Sequence, residues 1–150
     1  MEIYTDDLNQ IKNRYRNITN QSYVVENELN HFHFLTVIFE IKLKFKKLKQ
    51  KMEKEKNIDE IQKSKNEKLL DSLIKKLNDI KIKADANWEY SNKLLKKIEK
   101  DYLENKNKKG TKEIYDKVCR EIIDSDVEKY IKYEKTIIII VESYKPLVLK

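Results

Sequence analysis

Few side chains in this sequence of 150 residues have the types and spacing that chemistry requires. His31 and His33 are two residues apart, which places them on different faces of a helix and argues against joint metal binding. Cys119 lies between Val118 and Arg120 in an apolar helical pattern. We therefore expect it to be a small buried hydrophobe rather than a nucleophile.

The acidic residues Asp124, Asp126 and Glu128 form the only cluster of carboxylates that could suggest a site. With no second acidic cluster and no base nearby, we interpret them as a solvated helix face. The chain has one glycine, which excludes the usual glycine-rich phosphate loops. The sequence therefore predicts a protein that is not an enzyme and that uses no metal and no other cofactor.

The lysine-rich stretch KLKFKKLKQK, residues 42–51, is the strongest functional signal. Its six lysines, with no acid among them, predict a helix with a broad cationic face and one apolar edge. Anionic lipid headgroups are one possible partner, since each lysine near a membrane contributes about 1 kcal/mol. The predicted anion-binding residues are Lys42, Lys44, Lys46, Lys47, Lys49, Lys51, Lys93, Lys96, Lys97, Lys100, Lys106, Lys108 and Lys109.

Two other interpretations of the lysines stay open at this level. Nucleic acid is attracted by the same charge, although no recognised nucleic-acid-binding motif is visible. The lysines are also abundant together with Asn, Ile and Tyr, the composition expected of an AT-rich genome, so a solvated face without a partner is the other interpretation. The net charge of +7 is compatible with each of these interpretations.

The elements that carry these residues are predicted to be long helices. One glycine and one proline in 150 residues leave few turns of the kind that sheets need, so the sequence predicts an elongated all-α bundle of about three long antiparallel helices. Spacings of three and four mark a coiled-coil seam at Leu8, Ile11, Tyr15, Ile18, Val25, Leu29, Phe32, Phe39 and Leu43. Further apolar residues between 32 and 45 predict burial there on more than one side.

The boundaries of the remaining helices can also be predicted. Asn57 followed by Glu60 resembles a helix start, and the polar stretch 104–112 with the only glycine predicts a loop. A last helix is expected from about Thr111 to Pro146. It includes four consecutive isoleucines, residues 137–140, a run too short to span a bilayer and better suited to a buried helical turn.

Two stretches resemble the BAR domain of the sorting nexins that partner with retromer. The first comprises residues 113–123 and 130–142, where Ile114, Val118, Glu121, Ile122, Tyr133, Ile137, Val141 and Glu142 match the family's last helix in spacing. The second is residues 34–45, where Phe34, Ile41, Lys42 and Phe45 match its second helix. The tip of such a domain would lie near residues 76–87 or at the loop 104–112.

The resemblance implies a dimer that binds curved anionic membrane and acts in endosomal, retrograde trafficking. We expect a single helical domain over residues 1–150 without a separate PX domain, cytoplasmic and peripheral on endosomal membrane. Its partners would be a second subunit, homotypic or heterotypic, a phosphoinositide-containing surface and retromer subunits. The residues predicted to pack in the core or the dimer are Phe32, Phe34, Ile38, Ile41, Phe45, Ile114, Val118, Ile122, Tyr133, Ile137, Ile138, Ile140 and Val141.

Two rival functions remain. The first is a helical coiled-coil adaptor or structural subunit that binds only protein, which the apolar seam alone would explain. The second is a basic bundle that binds nucleic acid, which we consider less suited to the pattern than the other two functions.

Overall fold

A computed structural model describes residues 8–15, 22–56 and 59–144 of the chain. These residues form four helices: α1 (Leu8–Arg14), α2 (Tyr23–Glu53), α3 (Glu60–Asn105) and α4 (Thr111–Glu142). The described ranges contain no strand, which confirms the predicted all-α class. None of these four helices combines the length and hydropathy that crossing a membrane requires.

Short polar side chains define where two of the long helices begin. The Ser22 hydroxyl accepts a hydrogen bond from the Val25 backbone nitrogen at 3.1 Å, and α2 starts at the next residue, Tyr23. The Asp59 carboxylate accepts from the Gln62 backbone nitrogen at 2.7 Å and caps α3. The predicted break between these helices is present, with Asp59 as its cap. Asn57, the predicted start, lies outside the described residues.

A glycine turn joins α3 to α4 where the sequence predicted a loop. Gly110 precedes α4 with φ of 81°, a left-handed conformation that glycine adopts without the clash a Cβ would cause. Helix α3 runs unbroken through residues 76–87. The chain therefore reverses at residues 106–110, the second of the two positions considered for a tip.

Contacts between α2 and α3 establish that the two helices are antiparallel. His31 of α2 binds Asp85 at 2.8 Å, and Lys49, farther along α2, binds Asp71 at 2.9 Å. Residue numbers thus rise on one helix as they fall on the other. The His31–Asp85 contact lies near the middle of α3, and the Lys49–Asp71 contact lies in its N-terminal half.

Helix α4 reverses direction again. The ring of Tyr102 on α3 stacks on that of Tyr115 at 4.1 Å, and the Asn87 amide donates to the Tyr133 hydroxyl at 2.6 Å. Helices α3 and α4 are therefore antiparallel, so α2 and α4 run in the same direction.

The predicted seam from Leu8 to Leu43 does not lie on one helix. Helix α1 ends at Arg14, and α2 begins only at Tyr23. Helix α1 packs on α4: Ile11 and Tyr15 are buried, and Arg14 pairs with Glu134. The fold is thus three long helices with a short helix docked on the last of them.

The core of the bundle contains many of the residues that were predicted to pack in the core or the dimer. Phe34, Ile38, Ile41, Phe45, Ile137, Ile140 and Val141 are buried. Val118, Ile122, Tyr133 and Ile138 are half-buried. Phe32 and Ile114, by contrast, are 64% and 66% exposed, so they lie outside the core of the single chain. The expectation that residues 32–45 are buried on more than one side is wrong for the single chain, because only one side of α2 faces α3 and α4.

Candidate functional site

Helix α2 has apolar residues on two opposite faces. Its inner face, which includes Phe34, Ile38 and Ile41, packs into the bundle. Its outer face carries a second row, which we call the outer seam: Val25, Leu29, Phe32, Thr36, Phe39 and Leu43. The spacings in this row are four, three, four, three and four residues, the repeat by which helices pair in coiled coils.

The outer seam is the part of the predicted heptad that the bundle leaves uncovered. Phe32 and Phe39 are 64% and 66% exposed, Leu43 is 41% exposed and Val25 is 36% exposed. Leu29 is half-buried, and the Thr36 hydroxyl donates to the Phe32 carbonyl oxygen at 2.9 Å. Burying one large apolar side chain is worth roughly 1.5–3 kcal/mol, so this face has a substantial drive toward a covering partner.

The charges beside the outer seam change sign along α2. Residues 22–41 contain Glu26, Glu28 and Glu40 but no lysine or arginine. Residues 42–51 contain six lysines and no acid. Both Glu28 and Glu40 are exposed, as are Lys46 and Lys47. Helix α2 therefore has an acidic half, residues 23–41, and a basic half, residues 42–51, of which only Lys42 and Leu43 overlap the seam.

The lysines of the basic half differ in their environments. Lys46, Lys47 and Lys51 are exposed, whereas Lys42, Lys44 and Lys49 are half-buried. Partial burial lowers the pKa of Lys42, and repulsion from Lys46 and from Lys81 on α3 lowers it further. The Lys49 ammonium is paired with Asp71. The exposed cationic surface here is thus smaller than the count of lysines suggests.

The second predicted lysine group lies at the other end of the bundle. Lys93, Lys96, Lys97 and Lys100 are exposed on α3, and Lys106, Lys108 and Lys109 are exposed on the turn. Asp71, the partner of Lys49, and Lys97 are 26 positions apart on α3, which corresponds to about 39 Å along the helix. The two groups therefore form separate basic regions rather than one patch.

A buried polar layer crosses the bundle where sequence analysis found no site. His31 lies at its centre, with Nε2 at 2.8 Å from Asp85 and Nδ1 at 2.9 Å from the Tyr130 hydroxyl. With the Asp85 carboxylate oxygen as acceptor, Nε2 carries the proton and Nδ1 accepts from the Tyr130 hydroxyl. Lys81 donates to the other Asp85 oxygen at 2.7 Å, and the Trp88 ring stacks on His31 at 4.9 Å.

Burial dominates the protonation of His31. Its side chain is almost enclosed, and burial lowers its pKa even though the hydrogen bond and charge of Asp85 act to raise it. The neutral imidazole is therefore the form that the fold favours. Neither His31 nor His33 belongs to a group of potential ligands that could hold a metal ion within the described part of the chain.

Asp126 corrects one prediction. It was interpreted as part of a solvated acidic face, but it is 4% exposed and belongs to the polar layer, whereas Asp124 and Glu128 are exposed. Burial raises the pKa of Asp126, while a hydrogen bond with Ser91 acts to lower it. Charged residues are rarely enclosed to this degree unless they have partners.

Three asparagines extend the polar layer toward the turn end of the bundle. Asn27, Asn30 and Asn92 are buried. Among the described residues, the side-chain amides of Asn27 and Asn30, and one oxygen each of Asn92 and Asp126, have no hydrogen-bond partner. The sequence did contain a signal for this layer, since Asn27 and Asn30 lie in helical phase with the buried Phe34.

The polar layer is enclosed rather than open to a substrate. His31 and Tyr130 are 5% and 3% exposed, and neither lines the cleft of about 390 Å³ whose walls include Tyr15, Glu26 and Arg120. Within that cleft the Arg120 guanidinium donates to both Glu26 oxygens, at 2.6 and 3.2 Å, so the two charges offset each other. The polar layer is therefore part of the packing between α2, α3 and α4.

Cys119 behaves as predicted. It is 1% exposed, and burial raises the pKa of its thiol to about 11. At neutral pH the thiol is therefore protonated, and a protonated thiol is a poor nucleophile and a poor metal ligand.

The chain matches no protein-family model, and its comparison with curated proteins and with solved structures gave no significant match. Among the described residues, the outer seam of α2 has four exposed large apolar side chains at coiled-coil spacing, Val25, Phe32, Phe39 and Leu43.

Proposed function

We propose that this protein is a helical interaction module that binds another protein helix along the outer seam of α2. The observation that carries the proposal is the exposure of Phe32 and Phe39 in heptad phase with Val25, Leu29 and Leu43. Isolated exposed apolar residues are ordinary, but a continuous apolar row at coiled-coil spacing favours a protein partner.

The position of the seam supports the proposal. The inner face of α2 already contains Phe34, Ile38, Ile41 and Phe45, so the core does not need the outer row. Helix α2 is also held on one side by α3 and α4, which presents the outer row on a rigid support. A preorganised helix loses less conformational entropy when it pairs.

The variant Phe32→Glu/Phe39→Glu tests the proposal, because it places two charges on the seam without touching the core. In cells that express the tagged chain, the wild type should recover binding partners that this variant loses. Ile82→Glu is the matched control, since Ile82 is 66% exposed on α3, as exposed as Phe39 on α2. Identical recovery by all three chains would contradict the proposal.

A second candidate function is association with anionic membrane, and a specific observation favours it. The exposed Phe39 and Leu43 lie close in sequence to the exposed Lys46 and Lys47, a combination of apolar and basic groups that suits the membrane interface. The resemblance to sorting nexin BAR domains is in line with this candidate. Curvature binding, endosomal location, a role in retrograde trafficking and contact with retromer subunits are proposals that depend on it.

Sedimentation with vesicles tests this second candidate. Vesicles rich in phosphatidylserine should pellet the wild-type chain in a salt-sensitive way, and neutral vesicles should not. Lys46→Glu/Lys47→Glu should lose this binding. Lys75→Glu/Lys76→Glu changes two exposed lysines of α3 and is the matched control. Equal loss in both variants would indicate an effect of net charge alone.

A further inference from the structure

We infer that the partner of the outer seam is a second copy of this chain, with the two α2 helices antiparallel. This inference rests on the proposed function and specifies its partner. It follows from two features of α2: the outer seam is complementary to its own reverse, and its flanking charges are acidic at Glu28 near one end and basic at Lys42 near the other.

The seam pairs with its own reverse in a register that uses every apolar position. Val25 faces Leu43 of the partner subunit, and Leu29 faces Phe39 of the partner subunit. Phe32 faces Thr36 of the partner subunit, and twofold symmetry repeats the three layers. Each layer pairs a heptad a position of one helix with a d position of the other, as antiparallel coiled coils require. The row from Val25 to Leu43 spans 18 positions, about 27 Å of helix.

Charge selects this orientation over the parallel one. In the antiparallel register Glu28 lies beside Lys42 of the partner subunit, and symmetry gives two such pairs. In a parallel pair Lys42 would instead approach Lys47 of the partner subunit, and the two basic halves would lie side by side. Opposite charges at such flanking positions set orientation, and like charges oppose it.

The antiparallel pair also brings two carboxylates of like charge near each other, and an ion pair within each chain reduces their repulsion. Glu26 comes near Glu40 of the partner subunit. However, Glu26 is already bound by both Arg120 nitrogens at 2.6 and 3.2 Å, so its charge is paired within its own chain. The antiparallel register therefore contains two opposite-charge pairs and no uncompensated like-charge pair among these four positions.

The acidic half of α2 also favours a protein partner over a lipid surface. Glu28 and Glu40 are exposed beside Phe32 and Phe39, and anionic headgroups would repel both carboxylates. A second copy instead brings the Lys42 ammonium of each chain beside Glu28 of the other. A contact about 27 Å long and one helix wide is at the small end of specific interfaces, so we expect a dissociation constant in the micromolar range.

Sedimentation equilibrium of the purified chain, from about 1 μM to several hundred micromolar, measures the dimer. Phe39→Glu should raise the dissociation constant more than about tenfold, because the change affects two symmetric layers. Ile82→Glu should leave the constant unchanged. Circular dichroism and thermal unfolding check that both variants remain folded. A wild-type chain that stays monomeric throughout this range overturns the inference.

A charge exchange tests the orientation. Glu28→Lys and Lys42→Glu should each weaken the dimer, and the double variant should restore it, because the pair is remade with the signs reversed. In a parallel dimer the two positions are 14 residues apart on facing helices, about 21 Å, so the double variant would not restore binding. Absence of restoration therefore overturns the antiparallel arrangement.

Cross-linking gives a second, independent readout. Chains with Val25→Cys should cross-link to chains with Leu43→Cys and not to one another. The buried Cys119 should not compete, because it is 1% exposed. Cross-links among Val25→Cys chains alone would contradict the antiparallel pair. If the pure chain is monomeric while cellular partners still depend on Phe32 and Phe39, this inference fails and the proposed function stands.

Discussion

Ile38 and Phe39 are neighbours on α2, yet one is buried in the bundle and the other is exposed. Ile38 is 1% exposed and packs in the core, whereas Phe39 is 66% exposed on the outer seam. Successive residues of a helix differ by about 100° in direction, so a helix that packs on one side can bury Ile38 and expose Phe39. Helix α2 thus has apolar rows on two sides, and the bundle covers one of them.

Alanine substitution should separate the two roles. Ile38→Ala should lower the free energy of unfolding by about 2–5 kcal/mol, because it leaves a cavity in the core. Phe39→Ala should change it by less than about 0.5 kcal/mol in the monomer, since the side chain is exposed. Urea denaturation at about 1 μM, below the expected dissociation constant, measures both. A large loss for Phe39→Ala at that concentration would contradict the assignment.

An ion pair docks α1 on α4. Removing one partner of this pair should lower the free energy of unfolding more than removing both. Glu134 is fully buried, where the guanidinium of Arg14 and the hydroxyl of Tyr15, at 2.7 Å, both donate to it. Arg14→Met should lower the free energy of unfolding by about 3 kcal/mol, because the buried carboxylate loses its guanidinium partner. Adding Glu134→Met should recover much of that loss. Urea denaturation measures both variants, and equal losses would argue against a buried charge as the cause.

His31 should make stability depend on pH. Its pKa in the folded chain lies below the ordinary value of about 6.5, so the unfolded chain binds this proton more tightly. The contribution of His31 to the free energy of unfolding is therefore fully present above about pH 6.5 and is lost as the pH falls through the folded pKa. Burial is the main cause, with Asp85, Lys81 and Asp126 as the charged neighbours.

The His31→Gln variant isolates this effect. The difference in free energy of unfolding between the wild type and the variant should shrink between pH 7.5 and pH 5. The buried Asp126 acts in the opposite sense, because its raised pKa contributes stability that is lost as the pH rises through that value. Parallel stability profiles for wild type and variant would show that His31 does not titrate in this window.

The turn between α3 and α4 should depend on its glycine. Gly110 has φ of 81°, and among the described residues no atom outside its two chain neighbours lies within 4 Å of where a Cβ would stand, so backbone strain alone opposes a side chain. Gly110→Ala should lower the free energy of unfolding by about 1–2 kcal/mol. Gly110→Asn should cost less, because asparagine tolerates the left-handed region better. Equal costs for alanine and asparagine would indicate another cause.

Several elements of the fold could be predicted because their causes are local. One glycine and one proline in 150 residues indicated the all-α class, and the only glycine marked the turn at 106–110. The isoleucine run is helical as expected, with Ile137 and Ile140 buried and Ile139 exposed. Each of these follows from the conformational preference of a short stretch of chain.

The candidate site could be predicted only in part. The heptad through Val25, Phe32 and Leu43 was visible in the sequence, but periodicity does not tell which of two apolar faces a chain covers with its own helices. Asp126 was assigned to solvent because neighbouring acids suggested an exposed face. Its burial depends on Ser91 and on the packing of α3, which are distant in sequence.

The sequence by itself determined that the chain is helical, where it turns and which residues repeat at coiled-coil spacing, because these depend on neighbours within a few positions. Tertiary structure alone decided that Ile38 faces the core while Phe39 faces out, that His31 meets Asp85 and Tyr130, and that the two lysine groups lie at opposite ends. The physical reason is that burial and charge pairing arise between residues that folding brings together. His31 and Tyr130, which are in contact, are separated by 99 positions in the sequence.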